Sequence, residues 1–222
     1  MAYVDFISKV HQSTKRDYLK ERVLGVDKAE CARIAKQFGQ EYWDGDRKYG
    51  YGGYRYDGRW RRMAEDLARH YRIKPGERIL DVGCGKGYLL YDLTQAVPGV
   101  EVTGLDISQY ALSHAKEEVR PRLIEGSAVQ LPYEDASFDL VLSINALHNL
   151  YIQDLWKALQ EMQRVGKDQR KYIVVDSYRN EREKTNLLYW QLTCECFFTP
   201  QEWEWIFKES GYRGDHGFIF YE

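Results

Sequence analysis

Short apolar runs alternate with helical spacing along most of this chain. From Tyr71 onward, Arg78–Val82, Val100–Leu105, Arg122–Glu125, Phe138–Ser143 and Tyr172–Asp176 each read as a strand. Between them, Gly87 to Gln95, Gln109–Val119 and Leu155–Val165 carry helical periodicity, the second behind Ser108 as a cap. Thr199-Pro200-Gln201-Glu202 then supplies an N-cap, a proline at the first helical position and a carboxylate in the first turn. That helix is expected to stop at Gly211, with Gly217–Tyr221 as a last strand. The alternation predicts an α/β fold, a mostly parallel sheet with helices on both faces.

The N-terminal region breaks the rhythm. Asp27–Phe38 looks helical, and the stretch from Glu41 to Trp60 is dense in glycine, tyrosine and tryptophan. It suits neither a helix nor a regular strand, and reads as a structured loop packed by its own aromatics. A helix from Arg59 to Tyr71 then leads into the first strand. Residues 1–57 are therefore expected to form a helical and aromatic cap or lid. Residues 58–222 form the sheet domain, in one folding unit with that cap.

Composition narrows the function classes. A chain of 222 residues fits one domain with an extension. A net charge of −2, with basic and acidic residues interleaved, gives no footprint for nucleic acid or an anionic membrane. No apolar run reaches about 18 residues, and Met1-Ala2-Tyr3-Val4-Asp5 lacks a signal-peptide core. Cys31, Cys84, Cys194 and Cys196 read as reduced thiols in a cytoplasmic protein. Cys194-Glu-Cys196 is a weak metal signal with no histidine partner nearby, and no metal is expected.

The most informative chemistry sits after the first strand, in Ile79-Leu80-Asp81-Val82-Gly83-Cys84-Gly85-Lys86-Gly87. An apolar run ends in an acid, and three glycines follow at every second position. In a doubly wound sheet, ligands bind beyond the carboxyl ends of the strands, and glycines there let backbone approach a nucleotide-like ligand. Asp106 ends the second strand nineteen residues after Gly87, where an acid can accept hydrogen bonds from ribose hydroxyls. A nicotinamide enzyme would also place an acid there. Its fingerprint, however, needs Gly-x-Gly-x-x-Gly, and the sixth position here is Tyr88.

Taken together, the Asp-Val-Gly-Cys-Gly-x-Gly loop, Val102-Thr-Gly-Leu-Asp-Ile-Ser108, Gly126-Ser-Ala-x-x-Leu-Pro132 and Phe138-Asp-Leu-Val141 resemble the class I S-adenosylmethionine-dependent methyltransferases. The resemblance runs from about Glu77 to Leu150 and touches Phe198–Tyr212. It implies a Rossmann-like sheet and S-adenosylmethionine as methyl donor. It also implies Asp81, Gly83, Cys84, Gly85 and Gly87 around the methionine end, Asp106 on the ribose and Ile107 beside the adenine. Ser127 and Ala128 fall where the family has an acid and a small residue at the adenine amine, and Ser127 departs from that acid. Asn145 follows the fourth strand, where the family lines cofactor and substrate. The family usually ends on an antiparallel pair, yet only about eleven residues follow Gly211. The sheet is therefore expected to have six strands, or seven if Leu188–Phe198 adds one.

Methyl transfer from a sulfonium is an in-line displacement, so the protein mainly orients the acceptor and excludes water. His148, just past the fourth strand, is the leading candidate base, weighed against a role packing over the cofactor. The other histidines, His11 among them, have no comparable context. Tyr178 is a second catalytic candidate on the same sheet edge, and Arg179 could clamp a substrate carboxylate or phosphate unless it belongs to a solvated loop. Asn149 joins the substrate side. In the aromatic loop, Tyr51 is assigned to the cofactor and Tyr54 and Tyr56 to the substrate, against the alternative of a rigid cap over the core. The expected function is methyl transfer to a small molecule, on an oxygen of a hydroxylated or acidic metabolite or a glycan precursor. The alternatives are a nicotinamide-dependent oxidoreductase and a non-catalytic cofactor-binding module. The oligomeric state stays open.

Overall fold

The structure, a computed structural model, describes residues 1–11 and 17–222, with Glu21 described by its backbone alone. Residues 12–16 of the expected cap lie outside the described residues. Among the described residues, four short helices open the chain: α1 (Ser8–His11), α2 (Tyr18–Arg22), α3 (Lys28–Ala35) and α4 (Gln40–Trp43). Then α5 (Arg61–Tyr71) feeds β1 (Arg78–Val82), followed by α6 (Tyr88–Ala96), β2 (Glu101–Asp106), α7 (Gln109–Ser113), β3 (Leu123–Glu125) and β4 (Leu140–Ile144). The chain closes with α8 (Ile152–Val165), β5 (Lys171–Asp176), α9 (Glu181–Trp190), α10 (Pro200–Glu209) and β6 (Asp215–Ile219).

The strands form one six-stranded sheet in the order β3-β2-β1-β4-β5-β6. Every pairing is parallel, including β5 with β6, where Ile173 lies opposite His216. The seven-strand alternative does not occur: residues 191–199 are irregular among the described residues, and the N–H groups of Glu195 and Cys196 bond to the His148 carbonyl. The outer edge of β6 is covered from the N-terminus, where Val4 N–H donates to His216 and His216 N–H donates to Ala2. That contact satisfies an edge that would otherwise present open backbone groups.

The core lies on both faces of the sheet. Ile79, Leu140, Leu142, Tyr172 and Val174 pack under α5 and α6 with Met63, Leu67, Leu90 and Leu93. Leu80, Val141, Ile173 and Val175 face α8 and α10 with Leu155, Leu159, Trp203 and Phe207. Strands buried on both faces read as continuous apolar runs, which is why they were legible in the chain.

Two helices depart from expectation. The helix expected over 109–119 ends at Ser113, because the chain turns back and Lys116 N–H bonds to the Lys86 carbonyl in the glycine loop. The stretch around Tyr178–Lys184, for which a solvated loop was the alternative to a substrate clamp, instead opens α9. Its start is an N-cap in which Asn180 accepts from Glu183 N–H at 3.0 Å.

Leu142 lies fully buried in a central strand. Leu142→Ala is expected to lower the unfolding free energy by about 2–5 kcal/mol, read from urea titration.

Candidate functional site

Strand order reverses between β1 and β4, and a crevice must open where the connections leave in opposite directions. A cavity of about 240 Å³ lies there, walled by the loop after β1 (Gly83, Cys84, Gly85), the end of β2 (Asp106, Ile107), Ser127 and Ala128, and the end of β4 (Asn145).

The glycine loop is tight for reasons visible in its neighbours. Gly83 has φ +84°, and a Cβ there would sit 2.3 Å from that of Ala146. Gly85 has φ +53°, and a Cβ would sit 2.8 Å from the Trp43 ring. Asp106 organises the loop: one carboxylate oxygen accepts from Gly85 N–H and the other from Ser108 N–H, each at 2.8 Å. A carboxylate has about four acceptor directions, so each oxygen retains capacity for a ligand hydroxyl. Burial pushes the Asp106 carboxyl above its usual range, opposed by the N–H donors of Ser108, Gly85 and Ile107. Asp81, 3% exposed, keeps one buried carboxyl oxygen without a partner. Burial, then the nearby Asp106 charge, pushes its pKa up to about 7.

The aromatic segment closes over this crevice. Its rings pack in sequence: Trp43 stacks on Tyr51 with centroids 5.2 Å apart, Tyr51 meets Tyr54 at 4.6 Å, and Tyr54 stacks on Tyr88 at 5.0 Å. Several polar anchors fix it to the sheet domain. Lys86 of the glycine loop donates to both Asp44 oxygens at 2.8 and 2.7 Å and to the Tyr54 carbonyl at 2.9 Å. Tyr110 donates to Asp44 at 3.0 Å, and Trp43 Nε1 donates to Ser108 at 2.9 Å. Burial alone would raise the Asp44 carboxyl, but Lys86, Tyr110 and the Tyr54 N–H hold it below its usual range. The expectation of a loop packed by its own aromatics describes these contacts. Burial raises the hydroxyls of Tyr51 and Tyr54, so both are neutral donors near pH 7 rather than bases.

The structure brings some predicted site residues together and leaves others apart. Asp81, Gly83, Cys84, Gly85, Asp106, Ile107, Ser127, Ala128, Asn145, Asn149, Tyr51 and Tyr54 all line the cavity. Gly87 stands just behind, capping α6 at φ +69° against Val119 and Leu123. His148 does not line it. The short 3₁₀ turn Leu147–Asn149 points its ring inward at 1% exposure, with Nδ1 accepting from Asp176 N–H and Nε2 3.4 Å from the Asp176 carboxylate. Burial lowers the His148 pKa, opposed by that carboxylate. Tyr178 packs against the core under Lys184. Arg179 is spent on Glu183 and Glu222, at 2.5 and 2.6 Å. Tyr56 donates to Asp92 at 2.6 Å, away from the cavity wall.

Sequence reading also passed over residues that do line the crevice. Trp43, Tyr42, Arg59 and Trp60 come from the aromatic segment, and His11, set aside above, reaches the wall from α1. The charge of Lys86, alone between two glycines of the loop, was the available signal for its pairing with Asp44.

Fold and crevice together define a cofactor-binding α/β domain, and comparison with known proteins gives its class. The methyltransferase domain family model matches residues 80–174, and over this part the chain is similar to the class I, S-adenosylmethionine-dependent methyltransferases. Demethylmenaquinone methyltransferase of Lysinibacillus sphaericus is 36% identical over 121 residues, covering 52% of this chain and 51% of that protein. An uncharacterised methyltransferase of Synechocystis is 33% identical over 143 residues, covering 63% and 65%. The YcgJ protein of Bacillus subtilis shares the fold, with a TM-score of 0.54 at 22% identity over 66% of this chain and 67% of its own. The chain spans about half the length of the first of these relatives.

The residues present fit S-adenosylmethionine. Asp106 retains acceptor capacity at the β2 end, and the orphaned buried oxygen of Asp81 faces a cavity suited to a cationic group. Among the described residues no cluster of metal-ligating side chains occurs, and no helix is long and apolar enough to cross a membrane.

Two predictions concern this site. Asp44→Ala leaves the Lys86 ammonium, 4% exposed, without its counter-charge, and is expected to cost about 3 kcal/mol. Lys86→Met, similar in volume and uncharged, should cost clearly less in the same denaturant titration. Asp81 binds a proton in the folded state up to about pH 7, well above its unfolded pKa of roughly 3.9. Its contribution to stability is therefore fully present below the unfolded value and lost as pH rises to about 7, with a slope of at most about 1.4 kcal/mol per pH unit. Asp81→Asn should remove that slope, so thermal melts of variant and wild type should diverge in the variant's favour between pH 4 and 7 and run parallel above.

Proposed function

We propose that the chain transfers a methyl group from S-adenosylmethionine to an oxygen of a small hydroxylated or acidic molecule. The observation that carries this reading is Asp106: a buried carboxylate, pinned by the glycine loop through Gly85 N–H, at the mouth of a crevice walled by a methyltransferase domain. The printed names of the relatives, demethylmenaquinone methyltransferase among them, agree with a small-molecule acceptor.

In this reading Asp106 accepts the ribose hydroxyls, and Ile107, Ser127 and Ala128 border the adenine. Asp81 and the loop backbone hold the methionine end. The cofactor supplies a methyl group already activated on a sulfonium. Trp43, Tyr51 and Tyr54 exclude water and offer aromatic faces to positive charge. The Lys86–Asp44 pair and the Trp43 indole hold the aromatic segment shut as a lid, and breaking these few polar contacts would open it. His11, on the cavity wall, stands where an acceptor proton can be taken up. His148 acts at one remove, positioning the turn after β4 through Asp176.

Titration calorimetry tests the reading: S-adenosylhomocysteine should bind and NADH should not. Asp106→Ala should weaken S-adenosylhomocysteine at least tenfold, since a hydrogen bond to a charged group is worth about 1.5–3 kcal/mol. Binding of NADH without S-adenosylhomocysteine would make the protein a nicotinamide enzyme instead.

A further inference from the structure

A second cavity, of about 450 Å³, adjoins the first and shares Tyr42, Tyr51, Tyr54, Arg59 and Asn145 with it. Its size admits a small molecule rather than a chain. Its character differs from that of its neighbour. Among the described residues its wall holds four guanidinium groups, from Arg22, Arg47, Arg55 and Arg59, and no carboxylate. The whole chain carries a charge of −2, so the positive field here is local, and a cleft lined by one sign of charge concentrates the opposite one.

Two of these arginines are held in place by the fold. Arg22, 4% exposed, donates to the carbonyls of Arg47 and of Gly50, the latter at 2.7 Å. Arg47 donates to the Tyr51 carbonyl at 2.5 Å. Both lie over the Trp190 ring, at 4.4 and 5.0 Å from its centre. Arg59 is gripped by Asp57, with Nη2 to Oδ2 at 2.6 Å. Arg55 is exposed and makes no hydrogen bond or ion pair among the described residues. Asp176 stands behind the wall, accepting from Gln191 and Tyr221. The planar fork of a guanidinium matches carboxylate and phosphate oxygens in pairs. The rings of Trp190, Tyr51 and Tyr221 on the same wall suit a flat body behind such a head group.

We propose that this cavity is the acceptor site, and that the acceptor is a small oxyanion, a carboxylate or a phosphate ester carried on a planar or aromatic body. The inference rests on the methyl-transfer reading and adds the substrate class to it. The arginines hold the anionic end while the shared wall of Tyr51 and Asn145 turns the rest of the molecule towards the cofactor cavity. Arg55 approaches last, from the solvent side.

The test saturates the full chain with S-adenosylhomocysteine, so that the cofactor's own carboxylate is already accommodated. Benzoate, phenyl phosphate and benzamide are then titrated separately by calorimetry. At least one of the two anions should bind, with benzamide at least tenfold weaker, and the tighter anion identifies the head group. Arg55→Glu, at an exposed position, should weaken the anion at least tenfold while S-adenosylhomocysteine stays within twofold and the melting temperature is unchanged. Equal binding of benzamide, or no binding of either anion, overturns the proposal. So does an Arg55→Glu variant that loses S-adenosylhomocysteine as strongly as the anion, because the arginines would then serve the cofactor. Failure of S-adenosylhomocysteine to bind wild type, seen in the first titration, removes the methyl-transfer reading and the acceptor role with it.

Discussion

At Gly83 and Gly85 the backbone has no room for a side chain, and the upper face of the molecule is arranged around that constraint. One position is closed by Ala146 after β4, the other by the Trp43 ring descending from the N-terminal segment. Parallel strands on either side of the order reversal force the crevice open, and the glycines let two separate parts of the chain close in on it. Asp106 ties the arrangement together, because its two oxygens hold the glycine loop and the start of α7 in one geometry.

Charge then divides this face into two regions. The crevice proper carries Asp81 and Asp106, two buried acids; burial first, and then the Asp106 charge, raises Asp81 to about 7. Such a pair favours a cationic ligand. The adjoining cavity carries arginines and aromatic rings. A shared wall, containing Tyr51, Asn145 and Arg59, lies between the crevice with its two acids and the cavity with its further arginines. A methyl donor bearing a sulfonium and an acceptor bearing an oxyanion would meet across that wall, each drawn to its own side by the sign of the field.

Much of the fold was legible because parallel strands buried on both faces must be apolar throughout. Ile79-Leu80, Leu140–Leu142 and Ile173–Val175 announce themselves, and helical spacing fills the gaps. The helix α9 was missed although Asn180 and Glu183 stood at capping distance, because the charges of 179–184 read as solvent-exposed loop. The cofactor side of the site was legible for a related reason: Asp81, the glycines and Asp106 lie at strand ends whose positions the sequence itself marks. The opposite side was not. His148 and His11 differ little as letters in a sequence. Only the inward rotation of the Leu147–Asn149 turn buries the first against Asp176, and only the packing of α1 brings the second to the cavity.

By itself, the sequence determined what local pattern and short spacing can encode: the alternation of strand and helix, the loop that admits a nucleotide-like ligand, and the acid that follows at the end of β2. Tertiary structure decided what depends on distant segments meeting. It paired Lys86 with Asp44, set Trp43 against Gly85, and drew Arg22, Arg47, Arg55 and Arg59 around one cavity. It turned Arg179, for all its promise at a strand end, to Glu183 and Glu222. Periodicity reports which face of an element is buried, whereas a side chain's partner depends on chain paths that no local pattern records.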